Sequence, residues 1–145
     1  MNVDAILNGI VIDHITAGKG MIIYDLLGLK KKDYHVAIML NANSNKMGKK
    51  DMIKIDSDTP IDYDVIGYVD PNATVNVIQN GKLVEKVTLQ LPKKLVNVLK
   101  CKNPRCITTQ EQELDQVFRL TDEKKKVYRC LYCEVAARNK DSGRR

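Results

Sequence analysis

With 145 residues, 43% of them hydrophobic, the chain can hold one ordinary domain or two small ones, and no apolar run approaches the roughly eighteen residues of a membrane span. The opening Met1-Asn2-Val3-Asp4 lacks the basic start of a secretory leader and carries an acid in the stretch that would have to be apolar, so a cytoplasmic protein is expected. The net charge of +6 suggests nucleic acid only until it is divided: residues 1–98 hold 12 basic and 11 acidic side chains, residues 99–145 hold 12 and 7, and runs such as Lys30-Lys31-Lys32 read as solvated turns and helix ends.

Gly9 to Ile15 is a β-branched run and reads as a strand. Met21 to Leu29 reads as a helix, because Ile22, Leu26 and Leu29 recur at i, i+4 and i+7 while Ile23 and Leu27 widen the stripe. Tyr34 to Leu40 and Asp51 to Ile55 are strand-like and joined by a polar loop, Asn41 to Lys50. A second helix is predicted from Pro60, with Thr59 as its N-cap and the proline at the first helical position. Ala73 to Gln79, Asn80-Gly81, then Lys82 to Val87 is a hairpin, since a type I′ turn needs positive φ at both central residues and Asn-Gly supplies it. This order predicts an α+β fold: a ferredoxin-like antiparallel sheet with two helices on one face and a hairpin arm. The other face is left to water, a ligand or a second copy of the domain.

A boundary is expected near Leu91-Pro92, giving a domain over 1–91, a linker over 92–98 and a small all-β domain over 99–145. Every cysteine lies beyond the boundary, as Cys101-x4-Cys106 and Cys130-x2-Cys133. Four thiolates in two close pairs are the ligand set of one structural zinc ion, which accepts a closed tetrahedron of sulfur. About 47 residues bury too little apolar surface to offset their own conformational entropy. Zinc binding, on the order of 10 to 16 kcal/mol in small domains, fills that gap. Val117 to Leu120 and Lys126 to Arg129 read as a hairpin leading into the second pair.

Nothing in the chain argues for catalysis. There is no glycine-rich phosphate loop and no nucleophile elbow, and a four-cysteine site has no open coordination position with which to activate water. One polar constellation stands out instead: Asp13 and His14 end an apolar strand, and Lys54 interrupts the Met52-Ile53-Ile55 run of another. An edge-strand ion pair between Asp13 and Lys54 is the plainer reading; a polar ligand held on the sheet, with Lys54 and Lys86 facing an anion, is the sharper one. Alternation puts Val11 with Asp13 and Asn76 with Ile78. Lys86, however, falls opposite Val75 across the Asn80-Gly81 turn and joins them only through a bulge, a strand end or a twisted arm.

Gly9-x-Val11-Ile12-Asp13-His14-Ile15, Met47-Gly48-Lys49-Lys50-Asp51-Met52-Ile53-Lys54-Ile55, Pro71-x-Ala73-Thr74-Val75-Asn76 and the x4, x23, x2 cysteine spacing together resemble the regulatory chain of aspartate carbamoyltransferase, in order from about Val3 to Glu134. The resemblance implies a non-catalytic subunit of pyrimidine biosynthesis with an N-terminal nucleotide-binding allosteric domain and a zinc domain docking on catalytic chains. It also implies regulatory homodimers that bridge catalytic trimers, with CTP and UTP as inhibitors and ATP as activator. Carried over by position, Asp13 and Lys54 would meet the ribose, His14 and Lys86 the phosphates, and Val11, Asn76 and Ile78 would line the pocket. Asp4 and Ile6 would lie by the base, and Asn103 and Glu134 would contact catalytic chains. Asp4 and Arg105 depart from the family's usual glutamate and asparagine, and Gly81 stands at a tyrosine position of its best-known member. Two other classes use the same cysteines: a zinc-ribbon nucleic-acid binder, disfavoured by lysine runs without interleaved aromatics, and a rubredoxin-type iron protein.

Overall fold

Alternating isoleucine and valine along successive strands drive the formation of the first sheet. The computed structural model describes residues 7–57 and 60–137, and the chain divides into two compact units between Gln90 and Leu91.

The first unit runs β1 (Gly9–Thr16), α1 (Gly20–Leu26), a 3-10 turn (Leu29–Lys31), β2 (His35–Ser44), β3 (Gly48–Asp56), α2 (Tyr63–Val69), β4 (Thr74–Gln79) and β5 (Lys82–Thr88). The strands form one antiparallel sheet in the order β2-β3-β1-β4-β5. This is the expected split arrangement, with β5 as the hairpin arm. Ile10, Ile12 and Ile15 of β1, Ile53 and Ile55 of β3 and Val75 of β4 are buried together with Ile23 of α1 and Val65, Ile66 and Val69 of α2. Each such side chain contributes about 1.5 to 3 kcal/mol by leaving water.

Three local boundaries differ from the sequence expectation. The first helix stops at Leu26 because Gly28, at φ +68°, breaks the spiral, and Leu29 reaches the core from the following 3-10 turn. The second helix starts at Tyr63, where Asp62 caps it by accepting from Asp64 N–H at 3.0 Å. An N-cap needs a side-chain acceptor just before the free N–H groups, and Asp62 meets that need. Thr59 lies outside the described residues. The polar loop is also shorter than expected, since β2 continues to Ser44 and Ser44 Oγ accepts from Met47 N–H at 3.1 Å to close the turn into β3.

Two β-bulges flank β3. β1 inserts one residue between the pairs Ile12↔Ile53 and Ile15↔Asp51, and β2 inserts one between Met39↔Met52 and Ala42↔Lys50. His14 and Asn41, at φ +57° and +58°, absorb the turn of the chain. The first bulge lets Ile12 and Ile15 both point into the core although three positions apart.

The second unit holds β6 (Lys94–Val96), a single helical turn α3 (Ile107–Gln110), β7 (Val117–Asp122) and β8 (Val127–Cys130), with the sheet ordered β6-β7-β8. Its core is small: Leu95, Phe118 and Tyr128 are buried with three of the cysteines, and Tyr128 Oη donates to the Pro92 carbonyl at 2.6 Å. Among the described residues no helix is long and apolar enough to cross a membrane.

Candidate functional site

The sheet face opposite the buried isoleucines carries a row of residues at matching register. Ala37 of β2 pairs with Lys54 of β3, Lys54 with Val11 of β1, Val11 with Asn76 of β4, and Asn76 with Lys86 of β5. Lys86 joins through a bulge: Val77 pairs with Glu85 but Ile78 with Leu83, so Val84 is the extra residue and the parity of the arm is reset. Ile78 lies one step along, opposite Gly9, and Asp13 one step the other way, opposite Thr74. Lys54 and Lys86 form no ion pair among the described residues. Asn76 Oδ1 is buried and has no hydrogen-bond partner among the described residues, a condition that costs about 1 to 3 kcal/mol unless something donates to it.

Asp13 does not pair with Lys54, the partner the plainer reading gave it. Its carboxylate accepts from Lys50 Nζ at 2.9 Å and from its neighbour's backbone, His14 N–H, at 2.6 Å. The reason is register: Lys50 lies opposite Thr16 where β1 has already bulged, whereas Lys54 lies opposite Val11. Burial pushes the Asp13 carboxyl up, but the bonds from Lys50 and the His14 backbone, with the charges of both residues, outweigh it and leave the group below the usual carboxylate range. His14 Nδ1 lies 3.0 Å from Thr74 Oγ1, so the ring is already held by β4.

In the second unit the sulfur atoms of Cys101, Cys106, Cys130 and Cys133 all lie within 4.8 Å of one another, with Cys101–Cys133 at 3.6 Å and Cys106–Cys130 at 3.7 Å. The thiols are free, not disulfides. Backbone and side chains hold the two loops. Cys101 N–H donates to Gln116 Oε1 at 2.9 Å and Gln116 Nε2 to the Thr108 carbonyl at 3.1 Å; Cys106 Sγ meets Thr108 Oγ1 at 3.1 Å. Burial pushes the Cys101 thiol up to about 12. Cys133 is drawn the other way to about 7, burial being outweighed by the Asn103 side chain, the Val135 N–H and neighbouring thiols. Four thiolates at this spacing repel one another, and a bound cation is what makes their joint ionisation favourable.

Residues 1–90 match the family described as "Aspartate carbamoyltransferase regulatory chain, allosteric domain", and residues 93–142 match "Aspartate carbamoyltransferase regulatory chain, metal binding domain". The chain belongs to the aspartate carbamoyltransferase regulatory-chain family. Proteins of that name resemble it over nearly their whole length. The one from Clostridium botulinum strain Hall is 52% identical over 134 residues, covering 92% of each chain. Those from Clostridium tetani and Bifidobacterium longum are 47% and 43% identical, covering 92% and 95% of this chain and 94% and 99% of theirs. As a regulatory chain it is a non-catalytic subunit of the enzyme.

Within this regulatory chain, the residues expected at a nucleotide site fall into three groups. Val11, Lys54, Asn76, Ile78 and Lys86 share the sheet face opposite the buried isoleucines, around one cross-strand row. Asp13 and His14 sit at its bulged end and are held by Lys50 and Thr74. Asp4 and Ile6 lie outside the described residues. Sequence reasoning missed Lys50, although alternation along β3 puts it on the side of Met52 and Lys54. Asn103 is used inside the metal loop, where its Oδ1 accepts from Arg105 N–H at 3.1 Å in an Asx turn. Glu134 is exposed at φ +66°, and its carbonyl accepts from Arg129 Nη1 at 3.0 Å.

Proposed function

We propose that this regulatory chain binds nucleotide effectors on the open face of its first unit and transmits their binding to the catalytic chains of aspartate carbamoyltransferase in pyrimidine biosynthesis. The observation that carries the reading is the buried Asn76 Oδ1, with no hydrogen-bond partner among the described residues, in one cross-strand row with Lys54 and Lys86, which form no ion pair among those residues. A row of cation, amide and cation accepts a ligand that brings both hydrogen-bond donors and negative charge, and a nucleotide supplies both. In this reading Asp13 accepts from ribose hydroxyls, as carboxylates do in dinucleotide sites. His14 and Lys86 face phosphate, Lys54 meets the ribose, Val11 and Ile78 line the pocket, and Asp4 and Ile6 lie by the base. CTP and UTP as inhibitors and ATP as activator are the effectors the family implies, acting in the cytoplasm.

The metal is proposed to be a single structural zinc ion. A tetrahedron with Zn–S bonds of about 2.3 Å has S–S edges of about 3.8 Å, close to the 3.6 and 3.7 Å between the paired sulfurs. Zinc would hold Cys101, Cys106, Cys130 and Cys133 as thiolates and so close the two loops into a docking module. Exposed Leu131, Tyr132 and Val135 beside those loops supply apolar area for a catalytic chain, with Asn103 and Glu134 at the same contact. A second copy of the chain completes a regulatory homodimer.

Control follows by linkage. A nucleotide that binds one quaternary state more tightly shifts the equilibrium by its differential affinity, typically about 1 to 3 kcal/mol of coupling. The test reconstitutes the chain with its catalytic subunit and measures aspartate saturation with and without CTP or ATP. Lys54→Ala is expected to weaken effector binding about tenfold or more, with metal content unchanged. Assembly without any nucleotide response would overturn the reading of the open face.

A further inference from the structure

A cavity of about 210 Å³ opens beside the metal centre, lined by Lys100, Cys101, Lys102, Asn103, Phe118, Val135, Ala136 and Ala137. It has room for several waters, at about 30 Å³ each, or for one extended side chain. Its apolar lining combines buried Phe118 with exposed Val135 and Ala136. Lys100 and Lys102 at its wall are both exposed and make no ion pair among the described residues. The one side-chain amide there is engaged through its oxygen, since Asn103 Oδ1 accepts from the Arg105 N–H.

We infer that this cavity receives an acidic side chain of the catalytic chain, its methylenes on Phe118 and Val135 and its carboxylate between Lys100 and Lys102. The inference rests on the reading of the second unit as a docking module and adds the anchor and its sign. Two lysines that line a recess with apolar walls and form no ion pair among the described residues complement a carboxylate on a short apolar stem, and burial of such a pair at an interface gives orientation and speed of association. The chain's own residues 138–145 are a poor occupant, with four basic side chains and one acidic. The competing account is that Lys100 and Lys102 only offset the charge of −2 that four thiolates and a divalent cation carry. That account predicts a loss of metal where ours predicts a loss of partner.

Lys100→Glu/Lys102→Glu in the full-length, zinc-loaded chain separates the two. Association with the cognate catalytic subunit is measured by analytical ultracentrifugation at 50 and 300 mM salt, and zinc release by a chromophoric chelator. The expected result is association weakened at least tenfold at the lower salt, a flatter salt dependence, and an unchanged release rate. Lys100→Gln/Lys102→Gln should fall between. Wild-type assembly equalled by the reversal variant, or faster zinc release as its only effect, overturns the anchor. Failure of the wild-type chain to assemble refutes the docking reading itself, which distinguishes the two failures.

Discussion

Asn76 and Asp13 lie on the same sheet face but stand in opposite electrostatic positions. Asn76 keeps a buried oxygen without a donor among the described residues, which leaves it free to accept a hydrogen bond. Asp13 is already satisfied by Lys50 and by the His14 backbone N–H, and a ribose hydroxyl would have to share or displace those donors. The lowered Asp13 carboxyl has a consequence for acid stability. A group whose folded value lies below its unfolded one stabilises the fold at any pH above the unfolded value, near 3.9 for aspartate, and loses that contribution as pH falls through the folded value. Thermal midpoints of the wild type and Asp13→Asn are therefore expected to differ by a constant amount above about pH 5 and to converge at the acid end. A variant whose acid loss matched the wild type throughout would remove Asp13 from that role.

Among the elements, β3 lies between β2 and β1 in the sheet, and Asp51 is its fastening. Buried to 1% exposure, its carboxylate accepts from Gly18 N–H at 3.0 Å, Gly20 N–H at 2.9 Å and Asn41 N–H at 3.0 Å. One side chain thereby ties β3 to the start of α1 and to the bulge of β2. The approach is close enough that a Cβ on Gly20 would stand 2.9 Å from the Asp51 side chain. Asp51→Ala leaves three N–H groups without this acceptor, and the expected cost is about 2 to 4 kcal/mol, read from urea unfolding of the first unit. Asp51→Asn, which keeps one acceptor oxygen, should recover part of it. An unchanged midpoint for the alanine variant would mean that water replaces all three bonds without loss.

At the scale of the whole molecule, stability is divided as the chain is. The first unit has a sheet core of six buried isoleucines and valines from β1, β3 and β4 backed by two helices, whereas the second buries Leu95, Phe118 and Tyr128 around its cysteines. Chelation is accordingly expected to collapse the amide dispersion of residues 91–137 in a two-dimensional NMR spectrum and to leave that of β1–β5 in place. Nucleotide binding should survive the same treatment while the catalytic chains are released. Collapse of both units together would show that the metal supports the whole chain. The cysteine ligand set, the Asn80-Gly81 hairpin and the order of strands and helices were legible in the sequence, because each depends on residues a few positions apart or on a repeating period. Registers between strands distant in the chain were not. Whether Lys50 or Lys54 met Asp13, and whether Lys86 reached the row of Asn76, turned on single inserted residues at His14 and Val84. A bulge changes which side chains face each other across a sheet while leaving the hydrophobic pattern almost untouched, so only the tertiary structure could decide those pairings.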